Sequence, residues 1–221
     1  MIAPWLPLLE WWFGSAESPS EVTKAKGKLW FGKSRTQDAE AQSQFGDLVE
    51  SALTGGLKEW AETPDGWLAL VLLLDQLPRM IYRDTPKAYS GDERARQLVA
   101  HGLKLGRDQH LDPVQRTFIY LVLEHTENID AQNQAVARFT ELLPLLPATD
   151  RAFLTGSLDY AERHRNVIAR FGRFPHRNEG PCVHSGRSRV SEGAWVAVLS
   201  QMQLMLPNQC SRPAQLAREP F

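Results

Sequence analysis

The sequence predicts an all-α protein, an array of about seven helices. Three observations carry this. A capping side chain directly precedes proline at Thr63-Pro64, Thr85-Pro86 and Asp112-Pro113. That pair signals a helix start, because proline at the first helical position gives up an N–H that has no partner there. The segments following Thr63 and Asp112 are apolar nearly all round, as buried central helices are. No stretch shows the strand-turn-strand pattern of a sheet.

The elements follow in order. L-L-E-W-W-F-G reads as a short helix stopped by Gly14, and the polar stretch to about Lys28 reads as a connection. From Thr36, the residues Ala39, Phe45, Leu48, Val49, Ala52 and Leu53 recur with a helical period, ended by Gly55-Gly56. The helix after Thr63 carries G-W-L-A-L-V-L-L-L-D-Q-L and is expected to stop before Pro78. Another spans about Asp92 to Leu105. The helix after Asp112 runs to E-H-T-E at 124–127. Asp130 opens the next, which Pro144 ends, and the last runs from about Thr149 to Phe171. Short connections of this kind join antiparallel neighbours. Beyond Asn178 the composition changes, so the chain divides into a helical domain, 1–178, and a divergent tail, 179–221.

Composition excludes some functions. Lys plus Arg number 25 and Asp plus Glu 26, so no surplus charge points to nucleic acid or to an anionic membrane. The N-terminus lacks a basic start and meets Glu10 early, unlike a secretory signal. The longest apolar run, 68–74, is too short to span a bilayer. Cys182 and Cys210 alone make neither a disulfide framework nor a four-ligand zinc site. A soluble cytoplasmic protein is expected.

Charge inside the helices is the informative feature. The first apolar helix ends at Asp75-Gln76 and the second at Glu124-His125-Thr126-Glu127. A carboxylate at a helix C-terminus opposes the macrodipole, and a buried one is costly unless paired. Both ends therefore need cations. The supply is Arg79 and Arg83, His164 on the stripe Tyr160, His164, Val167, Phe171, and the segment R-F-G-R-F-P-H-R-N at 170–178. This segment is expected to cross the ends of both central helices, phenylalanines inward, with Arg170, Arg173, His176 and Arg177 toward Asp75, Glu124 and Glu127. These eleven residues, from Asp75 to Arg177, are the candidate ligand-binding set, and Glu124, His125 and His176 the candidates for proton transfer.

Other motifs are weaker. G-K-L-W-F-G-K-S at 27–34 matches a phosphate-loop pattern, but no strand precedes it and Trp30 and Phe31 are too bulky for a loop that wraps phosphates. Asp75, Glu124, His125 and His164 carry oxygen and nitrogen donors, yet the spacing is wrong for a two-metal helical site, so neither metal nor cofactor is expected. There is no Gly-x-Ser-x-Gly elbow.

W-W-F-G, L-L-L-D-Q-L-P-R-M-I-Y-R at 72–83, E-H-T-E and R-F-G-R-F-P-H-R-N together resemble the bacterial family called domain of unknown function 924. The resemblance covers roughly residues 8–178. It implies an all-helical, tetratricopeptide-like fold and a set of signature positions, and it supplies no activity. Met80 stands where the family usually has asparagine. After H-R-N the family continues with a leucine-glycine-arginine turn, where this chain has E-G-P-C-V-H-S-G. A shifted reading frame would account for that change, and sequencing the coding DNA tests it.

Three functions are open at this point. One is a scaffold that binds a peptide or protein partner on a concave helical face, with Trp5, Trp11, Trp12, Trp60 and Trp67 lining a groove. Another is an enzyme or binder acting on an anionic small molecule at the Arg/His/Glu junction. The third is a closed structural ion-pair knot.

Overall fold

The computed structural model describes residues 3–15 and 18–174. His176, Arg177, both cysteines and the tail lie outside the described residues, all of which belong to one compact unit, Met1–Gly180. Eight α-helices make up the described chain: α1 Leu6–Phe13, α2 Pro19–Phe31, α3 Arg35–Leu53, α4 Pro64–Ile81, α5 Asp92–Lys104, α6 Pro113–Glu124, α7 Ile129–Leu142 and α8 Arg151–Phe171. Short 3-10 turns fill several connections, and the described residues contain no strand. The fold is all-α. Each helix from α3 onward packs on its successor, an arrangement compatible with tetratricopeptide-like pairing.

The eighth helix is α2, read from sequence as a connection. Its buried residues are only Leu29 and Trp30, too few to give a helical period. Its start was nevertheless written in S-P-S-E. Ser18 Oγ accepts from the Glu21 amide while Glu21 Oε2 accepts from the Ser18 amide, both at 3.3 Å, which is a capping box. The phosphate-loop pattern falls across the end of α2 and the cap of α3. Trp30 is buried there, with its indole N–H donating to the Trp12 carbonyl at 2.9 Å, while Phe31 is about half exposed. The start expected at Thr85-Pro86 yields only the 3-10 turn Pro86–Tyr89.

Helices α4 and α6 form the centre. Along α4 every residue from Gly66 to Pro78 is buried, and along α6 every residue from Thr117 to Glu124. Around Phe118 of α6 stand Trp12, Phe13 and Trp30 in edge-to-face contacts, with ring centroids 5.5, 5.4 and 5.0 Å away. Such contacts add about 0.5–1.5 kcal/mol each beyond the area buried.

Helix α4 does not stop before Pro78 as expected; it continues for one turn to Ile81. Proline cannot donate to the carbonyl four residues earlier, that of Leu74. Gly91, at the start of α5, lies directly on that carbonyl: a Cβ at Gly91 would meet Leu74 O at 2.2 Å. Packing thus holds the proline-bearing turn in place. It also keeps Asp75 and Arg79 one helical turn apart.

Candidate functional site

Asp75 is 1% exposed and sits near the end of α4. Four groups address it. Arg79 Nη1 lies 3.0 Å from Oδ1 and also donates to the Asp75 carbonyl. Gln76 Nε2 donates to Oδ2 at 2.6 Å. His125 Nδ1, from the end of α6, stands 2.9 Å from Oδ1 and 3.0 Å from Oδ2. Burial alone pushes the Asp75 carboxyl up, but the charges of Arg79 and His125 and the hydrogen bonds outweigh it, so its pKa falls well below the usual carboxylate range. Arg79 in turn bonds Asp92 Oδ1 of α5 at 2.8 Å and lies over the Tyr89 ring. Burial disfavours its charge, yet Asp75 and Asp92 together hold its pKa above the ordinary value. One ionic chain, Asp92–Arg79–Asp75–His125, therefore ties α5, α4 and α6 together.

His125 borders a cleft of about 250 Å³. Asp92, Glu93 and Arg96 of α5 form one wall, Val122, Thr126 and Glu127 another, and Asp75 also lines it. Arg96 pairs through Nε and Nη2 with Glu93 at 2.6–3.0 Å. Because the Asp75 carboxylate accepts from Nδ1–H, the neutral imidazole is held as the tautomer whose Nε2 is basic. Among the described residues nothing bonds that nitrogen.

Glu124, beside His125 in sequence, addresses a different helix. It is 2% exposed, and its Oε1 lies against His164 Nδ1 of α8. Adjacent helical residues cannot face each other, so α6 presents one carboxylate–imidazole pair to α8 and another to α4. Phe174, just past the end of α8, is buried with its ring edge-to-face on His164 at 5.2 Å. Its amide donates to Glu127 Oε1 at 2.8 Å. Of the segment expected to cross the helix ends, the described part reaches the end of α6 at Phe174, which is buried, while Phe171 is half-buried.

The arginine expectations need correction. Arg83 is not at this junction. It lies past the end of α4 and grips Asp38 of α3 through Nε and Nη2 at 2.9 and 2.8 Å. Arg170 is exposed and stacks on the Phe171 ring, and Arg173 is exposed. Asp75 finds its guanidinium one turn away on its own helix, and among the described residues what distant sequence supplies to either acid is an imidazole. Sequence reasoning did not include Asp92, Glu93 or Arg96, which sit on an ordinary amphipathic helix where charge is unremarkable. Nor does a tryptophan groove form. Trp12, Trp60 and Trp67 are 0–3% exposed, since large aromatic surface is worth more in the core than in water. Met80 likewise belongs to the hydrophobic core and does not line the cleft.

The sequence model of the family described as "bacterial protein of unknown function (DUF924)" matches residues 8–188. The chain belongs to that family. The DUF924 match takes in both carboxylate–imidazole pairs and continues past Asn178, where the composition changes. A solved structure titled as a protein of unknown function, from Agrobacterium tumefaciens, is similar at 36% identity with a TM-score of 0.62. The similarity covers 71% of this DUF924 chain and 82% of that one. No curated protein matches. Among the described residues no helix is long and apolar enough to cross a membrane.

Proposed function

We propose that this DUF924 protein binds a small polar molecule in the α4–α5–α6 cleft, with His125 accepting or donating a proton at Nε2. The observation that supports this is the buried Asp75 carboxylate, held by Arg79 and Gln76 and aimed at His125. A purely structural buried carboxylate also gathers several hydrogen bonds to satisfy its lone pairs. This one orients an imidazole whose second nitrogen is left for solvent or ligand, beside a cavity of ligand size. Orienting and electrostatic support of that kind suits general acid–base chemistry. The arginine lining the cleft, Arg96, already pairs with Glu93, and Arg79, which does not line it, pairs with Asp75 and Asp92. Binding an anion there requires displacing one of these acids. A ligand presenting a hydroxyl or amine hydrogen to Nε2 needs no such exchange. The scaffold reading, with a peptide or protein partner, loses the aromatic lining it required.

The test is a thermal-shift screen of the full chain against small amines, polyols and anionic metabolites. His125→Asn keeps an N–H donor for Asp75 and removes Nε2. A ligand that raises the melting temperature of the wild type and loses that effect in His125→Asn is the expected result. A library without hits, or hits indifferent to the substitution, overturns the reading.

A further inference from the structure

The second carboxylate–imidazole pair is less complete than the first. Glu124 Oε2, Gln132 Oε1 and His164 Nδ1 are all buried and have no hydrogen-bond partner. The three belong to one place. His164 Nδ1 abuts Glu124 Oε1 without lying in line to bond it. Gln132 donates its amide nitrogen to the carbonyls of Glu124 and Thr126, at 2.6 and 2.8 Å, which leaves its amide oxygen over. Glu124 and Gln132 are 2% and 0% exposed, so solvent does not supply the missing bonds from outside.

Buried polar atoms in native proteins are nearly always paired, and several unpaired ones together call for an explanation. Here the chemistry of the atoms points one way. A carboxylate oxygen and an amide oxygen are acceptors only. For these two oxygens the missing partner is therefore a donor, and with a carboxylate present a cationic donor is favoured over a neutral one. The Phe174 ring stands edge-to-face on the His164 imidazole. A guanidinium, planar and with several N–H donors, can serve two acceptor oxygens at once.

We propose that Glu124, Gln132 and His164 form a binding site for one guanidinium or ammonium group, separate from the cleft at His125. Two sources supply that chemistry. One is a free amine or guanidine. The other is this chain: Phe174 is followed by Pro-His-Arg-Asn, and three extended residues span about 10 Å before a side chain is counted. Arg177 lies outside the described residues, so experiment must choose between them.

The experiment compares the full-length wild type, Arg177→Met, Arg177→Lys and Glu124→Gln by thermal shift. Each is titrated with methylguanidinium chloride or methylammonium chloride, with potassium chloride at equal ionic strength as control. If a free ligand fills the site, millimolar methylguanidinium or methylammonium raises the wild-type melting temperature by several degrees over the control, and Glu124→Gln abolishes the response. If the chain's own arginine fills it, the wild type does not respond. Arg177→Met then melts several degrees lower than Arg177→Lys and is restored by methylguanidinium. Should Arg177→Met fail to fold, recovery of folded protein on refolding with methylguanidinium, but not with potassium chloride, is the same evidence. The proposal is overturned if neither cation outperforms potassium on any variant and the two Arg177 variants behave alike.

Discussion

At the scale of single residues, two positions bear the largest expected consequences. Asp75 is an acid whose folded pKa is depressed, so folding favours its ionised form. Its contribution is complete above the ordinary carboxylate value of 3.8 and is lost as pH falls below that toward the folded value. Asp75→Asn is expected to cost about 3–5 kcal/mol at neutral pH, the usual cost of breaking a buried pair. It is also expected to flatten the acid limb of melting temperature against pH below about pH 4. An unchanged acid limb would place the acid sensitivity elsewhere. Gly102 is the second case. A Cβ there would meet the Trp67 ring at 2.3 and 2.4 Å, and that ring is fully buried with its N–H bonded to the Leu98 carbonyl at 3.1 Å. Alanine gains about 1 kcal/mol of helix propensity over glycine, but overpacking a core costs about 1–3 kcal/mol. Gly102→Ala is therefore expected to lower stability in urea unfolding.

At the scale of elements, termini decide more than interiors. Helix α2 has few buried residues and rests on its capping box. Ser18→Ala is expected to cost about 1 kcal/mol, visible as a lower urea midpoint with an unchanged slope. A silent substitution would mean that α2 is held by Leu29 and Trp30 alone. Helix α4 shows the opposite case, where packing overrides a sequence signal. A proline in a helix interior usually kinks or ends it, yet here the Leu74 carbonyl that Pro78 leaves unbonded is covered by Gly91 of α5. Because the turn survives, Arg79 stays in register to reach both Asp75 and Asp92.

At the scale of the molecule, the two central helices each place a carboxylate at one end of the core, and an imidazole from another element stands against each. The described residues all belong to the unit Met1–Gly180. We expect a chain truncated after Gly180 to keep its far-ultraviolet helical signal and to melt within a few degrees of the full chain. A collapse of the transition on truncation would show that the later residues contribute to the core.

Much of this was legible in the sequence, for identifiable reasons. Apolar segments around Leu70 and Phe118 have too few polar positions to lie at a surface, so their burial, and the need of Asp75 and Glu124 for cations, follow from composition and dipole alone. Seven helix positions follow from caps, prolines and periodicity, and so does the all-α class. Which cation meets which acid was decided only by tertiary structure. Pairing depends on the turn that packing preserves at Pro78, and on which face of α6 meets α4 and which meets α8. Neither is a local property of the chain, because it takes the packed helices around α6 to set Glu124 against His164 and to turn His125 toward Asp75.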